Sequence, residues 1–273
     1  RLEQTARKGF FGYPAPPDAY YRASVDWLQK RHRFAPDPDW LLPAPGVIPA
    51  VSLLIRAVSE PGDQILVQPP VYPNFYQAIR ANNRRIAYNP LLFDGQRYTV
   101  DYADLERKAA AGARTLLLCS PHNPVGRVWT RDELMRIGEI CLRHELFVIS
   151  DEIHFDLTFS GQTHTVFQTL GDRFLHTSAL LTSAGKTFNI PGLQPGIIVT
   201  ANEAIRERCF TDLKAFDFKR PNTCCQEAVI AAYARGEPWL DSLMRYIEAN
   251  FRFLNDQLQA EMPEIRVIEP ERD

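Results

Sequence analysis

The chain has 273 residues, 45% of them hydrophobic and 23% charged, with a net charge of −2. That composition supplies a globular core, while the scattering of Lys/Arg among Asp/Glu excludes a dedicated nucleic-acid surface, which would show a clustered basic patch. No run approaches the ~18 uninterrupted apolar residues of a membrane span, and the opening RLEQTARKGFFGYP lacks the apolar core of a secretory signal.

In chain order, the Pro-rich GYPAPPDAYYRA (12–23) predicts a loop before the first helix, and VIPAVSLLIRAVSE (47–60) predicts a helix. QILVQPP (64–70) and RRIAYNPL (84–91) predict strands, and YADLERKAAAG (102–112) a helix. TLLLCSP (115–121) is a third strand, and RDELMRIGEICLRHE (131–145) a helix that Thr130 and Glu133 would open as a capping box. LFVISDE (146–152), LLTSAGK (180–186) and GIIVTAN (196–202) complete the strands, followed by the helical NEAIRERCFTDLKAF (202–216). From Asn222 onward only helix is evident, including a long amphipathic stretch over Pro238–Glu261.

Most of the strand-like runs lack polar alternation, as strands buried on both faces do. Alternation of such strands with helices predicts a doubly wound α/β domain with a mainly parallel, mixed sheet between helices. The expected division is a large domain over 1–235, then a connecting helix and the start of a smaller domain over 236–273. Because the chain opens on Arg1 and stops soon after a long helical pattern, further sequence is expected at both ends.

The five cysteines, Cys119, Cys141, Cys209, Cys224 and Cys225, form no CxxC pair and leave an odd one out. Neither a disulfide framework nor a zinc site is expected, and a reducing cytoplasm is the default compartment. The six histidines are dispersed, with no HExxH.

In doubly wound sheets, ligands bind beyond the carboxyl ends of the strands. The polar residues there are Tyr72, Asn123, Asp151 with His154, and Ser183 with Lys186. Pyridoxal 5'-phosphate needs a lysine for an imine, a carboxylate on its pyridine nitrogen, donors for its phosphate and an aromatic face for its ring. Each requirement has a candidate at a strand end. Lys186 alone also reads as a solvated lysine, Asp151 as a helix cap or surface acid, and Tyr72 as core. Asn123 alone reads as an ordinary Asx-Pro turn. A phosphate-binding P-loop around Gly185-Lys186-Thr187 is excluded, because the glycine it requires is replaced by Leu180. Val47 and Ile48 open a helix, and helix N-termini offer free N–H groups to phosphate.

The segments FFGYP, PGVIPA, PPVYPNF, SPHNPVGRVW, SDEIHFD and SAGKTFNIPGL occur in this order over residues 10 to 193. In order and content they resemble the fold-type I pyridoxal-phosphate enzymes, the aspartate-aminotransferase-like family. By that resemblance Lys186 is the imine lysine and catalytic base, Asp151 the pyridinium partner, and Asn123 with His154 the contacts of the phenolic oxygen. Tyr72 is the stacking aromatic, while Val47, Ile48 and Ser183 hold the phosphate. Tyr13 reaches the phosphate of a neighbouring subunit, which implies a homodimer. The family's arginine for the substrate carboxylate falls beyond Asp273, in a small domain largely absent from this chain, and an N-terminal arm falls before Arg1.

One departure from the aminotransferase pattern directs the functional expectation. Gln194 stands where aminotransferases carry a phosphate-binding arginine, eight residues after the lysine. NPVGRVW, DEIH and KTFNIPGL resemble instead the cystathionine β-lyase branch, in which a histidine occupies the place of His154. The implied activity is cleavage of cystathionine or another S-substituted cysteine to thiol, pyruvate and ammonia. An aminotransferase is the alternative enzyme, and a cofactor-sensing regulatory module the alternative of another class.

Overall fold

The computed structural model describes residues 1–268, so the last five positions of the expected 236–273 segment lie outside the described residues. In chain order the elements are α1 (Leu2–Lys8), α2 (Asp18–His32), β1 (Leu41–Pro43), α3 (Val47–Val58), β2 (Gln64–Val67) and α4 (Asn74–Ala81). There follow β3 (Arg85–Tyr88), β4 (Leu92–Phe93), β5 (Tyr98–Thr99), α5 (Tyr102–Ala110), β6 (Thr115–Cys119), α6 (Arg131–Arg143) and β7 (Phe147–Asp151). The chain continues through β8 (Ser178–Thr182), α7 (Ala184–Thr187), β9 (Ile197–Val199), α8 (Glu203–Ala215), α9 (Thr223–Arg235) and α10 (Glu237–Glu261).

Among the described residues, seven strands make one sheet in the order β1-β9-β8-β7-β6-β2-β3. The five from β8 to β3 run parallel, and β9 and β1 pair antiparallel at the other edge. The sheet is therefore mixed and mainly parallel, with apolar layers on both faces. On β6, Leu117 faces the cluster under α3, α4 and α8, whereas Leu116 and Leu118 face the cluster under α5 and α6. That two-sided burial is the physical reason TLLLC carries no polar alternation. A third cluster packs Trp27 of α2 and Val229 and Tyr233 of α9 against Leu180 and Val199.

The capping box forms as expected: Thr130 accepts from the Glu133 amide, and the Glu133 side chain accepts from the Thr130 amide. Two expectations are corrected. The opening loop follows a first helix, α1, rather than preceding it, and ends at Pro17, because extended Pro17 leads directly into α2 with Asp18 in its first turn. The strand expected over 180–186 stops at Thr182; Ser183 caps a single helical turn, and Lys186 rides on that turn rather than on the strand.

α10 begins immediately after Gly236 and buries only Leu240 and Glu248, while Trp239, Tyr246, Phe253 and Leu254 stay exposed. No helix among the described residues is long and apolar enough to cross a membrane.

Candidate active site

The carboxyl ends of β6, β7 and β8 share one edge of the sheet, with Cys119 directly opposite Asp151 and Asp151 opposite Leu181. A cavity of about 150 Å3 opens there. Asp151 ends β7 and is only 4% exposed. One of its oxygens accepts from the Ile153 amide at 3.2 Å; the other takes no hydrogen bond from the described residues. Burial pushes the carboxyl up to about 7, the Ile153 amide and the charge of Lys186 pulling the other way and that of Glu152 adding to the rise. Buried carboxylates left in this state call for a cationic partner. Glu152, by contrast, points to the opposite face of the sheet. There it accepts from Ser150 Oγ at 2.7 Å, His164 Nε2 at 2.6 Å and the Phe167 amide at 3.0 Å.

Lys186 lines the same cavity from α7 and is itself exposed. His154 and Asn123 complete the polar lining, and neither side chain has a hydrogen-bond partner among the described residues. Burial pushes the His154 imidazole down to about 4, with the charge of Lys186 adding to the effect. The ring is therefore neutral at pH 7 and offers a single N–H. Tyr72 lies half-buried across the cavity, its hydroxyl accepting from Asn74 Nδ2 at 2.7 Å and its ring edge-on to Phe75 at 6.0 Å. A second hollow of about 250 Å3 shares Asn123 and His154 and continues past Leu157 and Phe159.

Val47 and Ile48 bring the first turn of α3 to the cavity, where helix geometry leaves their amides without carbonyl partners. The turn is set by Gly46, whose φ of 102° favours glycine, and by the close approach of Gly196 to it. A Cβ on Gly196 would lie 2.7 Å from the Gly46 carbonyl carbon, a backbone atom that cannot swing away. Gly196→Ala is thus expected to displace the start of α3. The predicted result is a loss of about 1–3 kcal/mol of stability together with weaker phosphate binding, read by thermal melting with and without inorganic phosphate.

The structure brings Val47, Ile48, Tyr72, Asn123, Asp151, His154 and Lys186 to one cavity. Ser183 and Tyr13 are not in its lining. The Ser183 hydroxyl donates to the Pro195 carbonyl at 2.6 Å and accepts from the Gly185 amide at 2.8 Å, so its one proton is already committed. Tyr13 is 87% exposed on a separate patch with Phe11 and Arg220. Sequence reasoning missed two lining residues, Cys119 and Ile153. Burial pushes the Cys119 thiol well above its ordinary range, Asp151 adding to it.

The donor set suits pyridoxal phosphate. A lysine amine, a buried carboxylate with an orphaned oxygen, an amide and a neutral imidazole without partners, two free helix amides and an aromatic ring all meet in one hollow. Among the described residues no group of His, Cys, Asp or Glu could hold a metal ion.

Comparison with known proteins matches the model "Aminotransferase class I and II" over residues 2–273. The chain is similar to cystathionine beta-lyase PatB of Bacillus subtilis, with 40% identity over 271 residues, covering 99% of this chain and 70% of that protein. Its structure is similar to cystalysin from Treponema denticola, which contains a pyridoxal 5'-phosphate cofactor. The TM-score is 0.93 at 36% identity, over 96% of this chain and 67% of the other. It is also similar to the PLP-bound C–S lyase from Staphylococcus hominis, with a TM-score of 0.91 at 31% identity, over 96% of this chain and 66% of the other.

Proposed function

The chain belongs to the aminotransferase class I and II family, and from that premise we propose that it is a pyridoxal-phosphate-dependent C–S β-lyase acting on cystathionine or another S-substituted cysteine. The observation that carries the reading is the cavity in which Lys186 and the orphaned oxygen of Asp151 meet, in a chain 40% identical to a cystathionine beta-lyase.

When bound, pyridoxal phosphate supplies an electron-accepting ring for the pair left at the substrate Cα. The chain's own residues do the rest. Lys186 would hold the cofactor through its ε-amine, and the same amine, when free, would take the proton from the substrate Cα. Asp151 keeps the pyridine nitrogen protonated, which answers the need of its buried carboxylate for a cation. Asn123 and neutral His154 would donate to the cofactor's phenolic oxygen, and Tyr72 would offer its ring as an apolar cover. The amides of Val47 and Ile48 receive the phosphate at the α3 N-terminus. Ser183 acts one step back by capping the turn that carries Lys186. The Cβ–S bond would then break, the sulfur taking the electron pair and a proton from the Lys186 ammonium to leave as thiol, and water would release the remainder as pyruvate and ammonia.

Tyr13 serves the phosphate of a second copy in a homodimer; its exposure and its absence from this chain's own cavity lining support that role. Residues 1–235 form the cofactor-binding domain, and the exposed apolar side chains of α10 suit packing against a second domain begun by 236–273. The cytoplasm is the compartment that five free cysteines favour.

With S-substituted cysteine and no keto-acid acceptor, pyruvate is expected to form faster than the pyridoxamine form of the cofactor. A barrier difference of about 1–3 kcal/mol in favour of elimination, one to two orders of magnitude in rate, is enough to give that outcome. Pyridoxamine phosphate accumulating without pyruvate would make the chain an aminotransferase.

A further inference from the structure

Behind the cavity, and outside its lining, lies a buried carboxylate that the reaction does not use. Asp156 has a side chain with no exposed surface, yet three donors from distant parts of the chain converge on it. Trp27 Nε1 of α2 donates at 3.2 and 3.0 Å to its two oxygens. His32 Nε2, at the end of the same helix, lies 2.8 Å from Oδ1 and donates, since a carboxylate only accepts. Thr187 Oγ1 of α7 donates at 2.8 Å to Oδ2.

The places of these donors in the chain give the arrangement its meaning. Asp156 sits two residues after His154 and five after Asp151, on the segment that leaves β7. Thr187 follows Lys186 directly and is completely buried, so its hydroxyl serves nothing in the cavity. α7 is a single turn of four residues, too short to hold its own orientation by helical bonds. The packing around the carboxylate is closed: His32 stacks on Phe155 at 4.2 Å, and Trp27 stacks on Tyr233 at 5.3 Å and meets Phe188 edge-on at 5.4 Å.

We propose that Asp156 is a positioning residue, which through Thr187 clamps the turn carrying Lys186 to the segment carrying Asp151 and His154. The clamp fixes where the lysine amine stands relative to the two groups on the cofactor ring. Displacements of the order of an ångström at such a centre cost about a hundredfold in rate. This inference rests on the reading of Lys186 as the cofactor lysine.

The test compares Thr187→Val, nearly isosteric and without the donor, with Thr187→Ser, which keeps it, in the holoenzyme. The valine variant leaves Asp156 with Trp27 and His32, so the fold retains most of the network. It is expected to raise the Kd for pyridoxal phosphate about tenfold, because the turn that carries Lys186 is no longer held in the geometry that binding needs. Its kcat for an S-substituted cysteine is expected to fall about tenfold or more with KM within about twofold, and serine to restore both. A valine variant with wild-type Kd and kcat, whatever its melting temperature, would overturn the proposal while leaving the lyase reading intact. A wild type that attaches no cofactor at Lys186 overturns both. Should the valine variant not fold, Thr187→Ala takes its place with the same expectations.

Discussion

Lys186→Ala is expected to abolish covalent retention of pyridoxal phosphate and to lower turnover by about four orders of magnitude, the upper range for removing a positioned base. The substitution deletes both roles at once, since the amine that holds the cofactor is the one that takes the Cα proton. Fold stability is expected to change little, because Lys186 is exposed and makes no hydrogen bond from its side chain among the described residues. Dialysis of the loaded protein, followed by its visible absorption, checks retention. Turnover of S-substituted cysteine checks the base. A variant that keeps its colour through dialysis would contradict the assignment.

Asp151→Asn separates the second role from the first. It is expected to leave attachment at Lys186 in place and to cost about two to three orders of magnitude in turnover, because an amide cannot hold the ring proton by charge. The same change is expected to raise the melting temperature of the cofactor-free chain at pH 8. In the folded chain the Asp151 carboxyl stands at about 7, against about 3.9 in an unfolded one, so the folded state binds that proton more tightly. The group's contribution to stability is therefore full below about pH 4 and is lost as pH rises to about 7. Asparagine removes that slope. The gap in melting temperature between variant and wild type should be wide at pH 8 and narrow at pH 5.

The parallel core of the sheet was legible because its strands are short apolar runs with both faces covered. Tyr72, Asn123, Asp151 and Lys186 were legible as polar residues just beyond those runs. Elsewhere the signal lay in pairings that only the fold supplies. Cys119 closes an all-buried strand and reads as core until the register sets it opposite Asp151. Ser183 looked free for a phosphate because nothing in SAGK reveals that Pro195 returns to accept its hydroxyl. Lys186 read as the end of a strand because the run LLTSAGK is apolar up to the turn that Ser183 caps. Asp156 left a faint trace, an acid between Phe155 and Leu157, but its partners Trp27, His32 and Thr187 are dispersed along the chain. The helix α2 that supplies two of them begins inside the stretch read as a Pro-rich loop.

The lyase reading stands on pyridoxal phosphate being carried by Lys186. Borohydride reduction of the loaded protein, proteolysis and mass spectrometry of the peptides test it most directly. A single phosphopyridoxyl-modified peptide spanning SAGKTF is expected, with Lys186 as the modified residue. Modification of Lys214, Lys219 or any other lysine in place of Lys186 would contradict it.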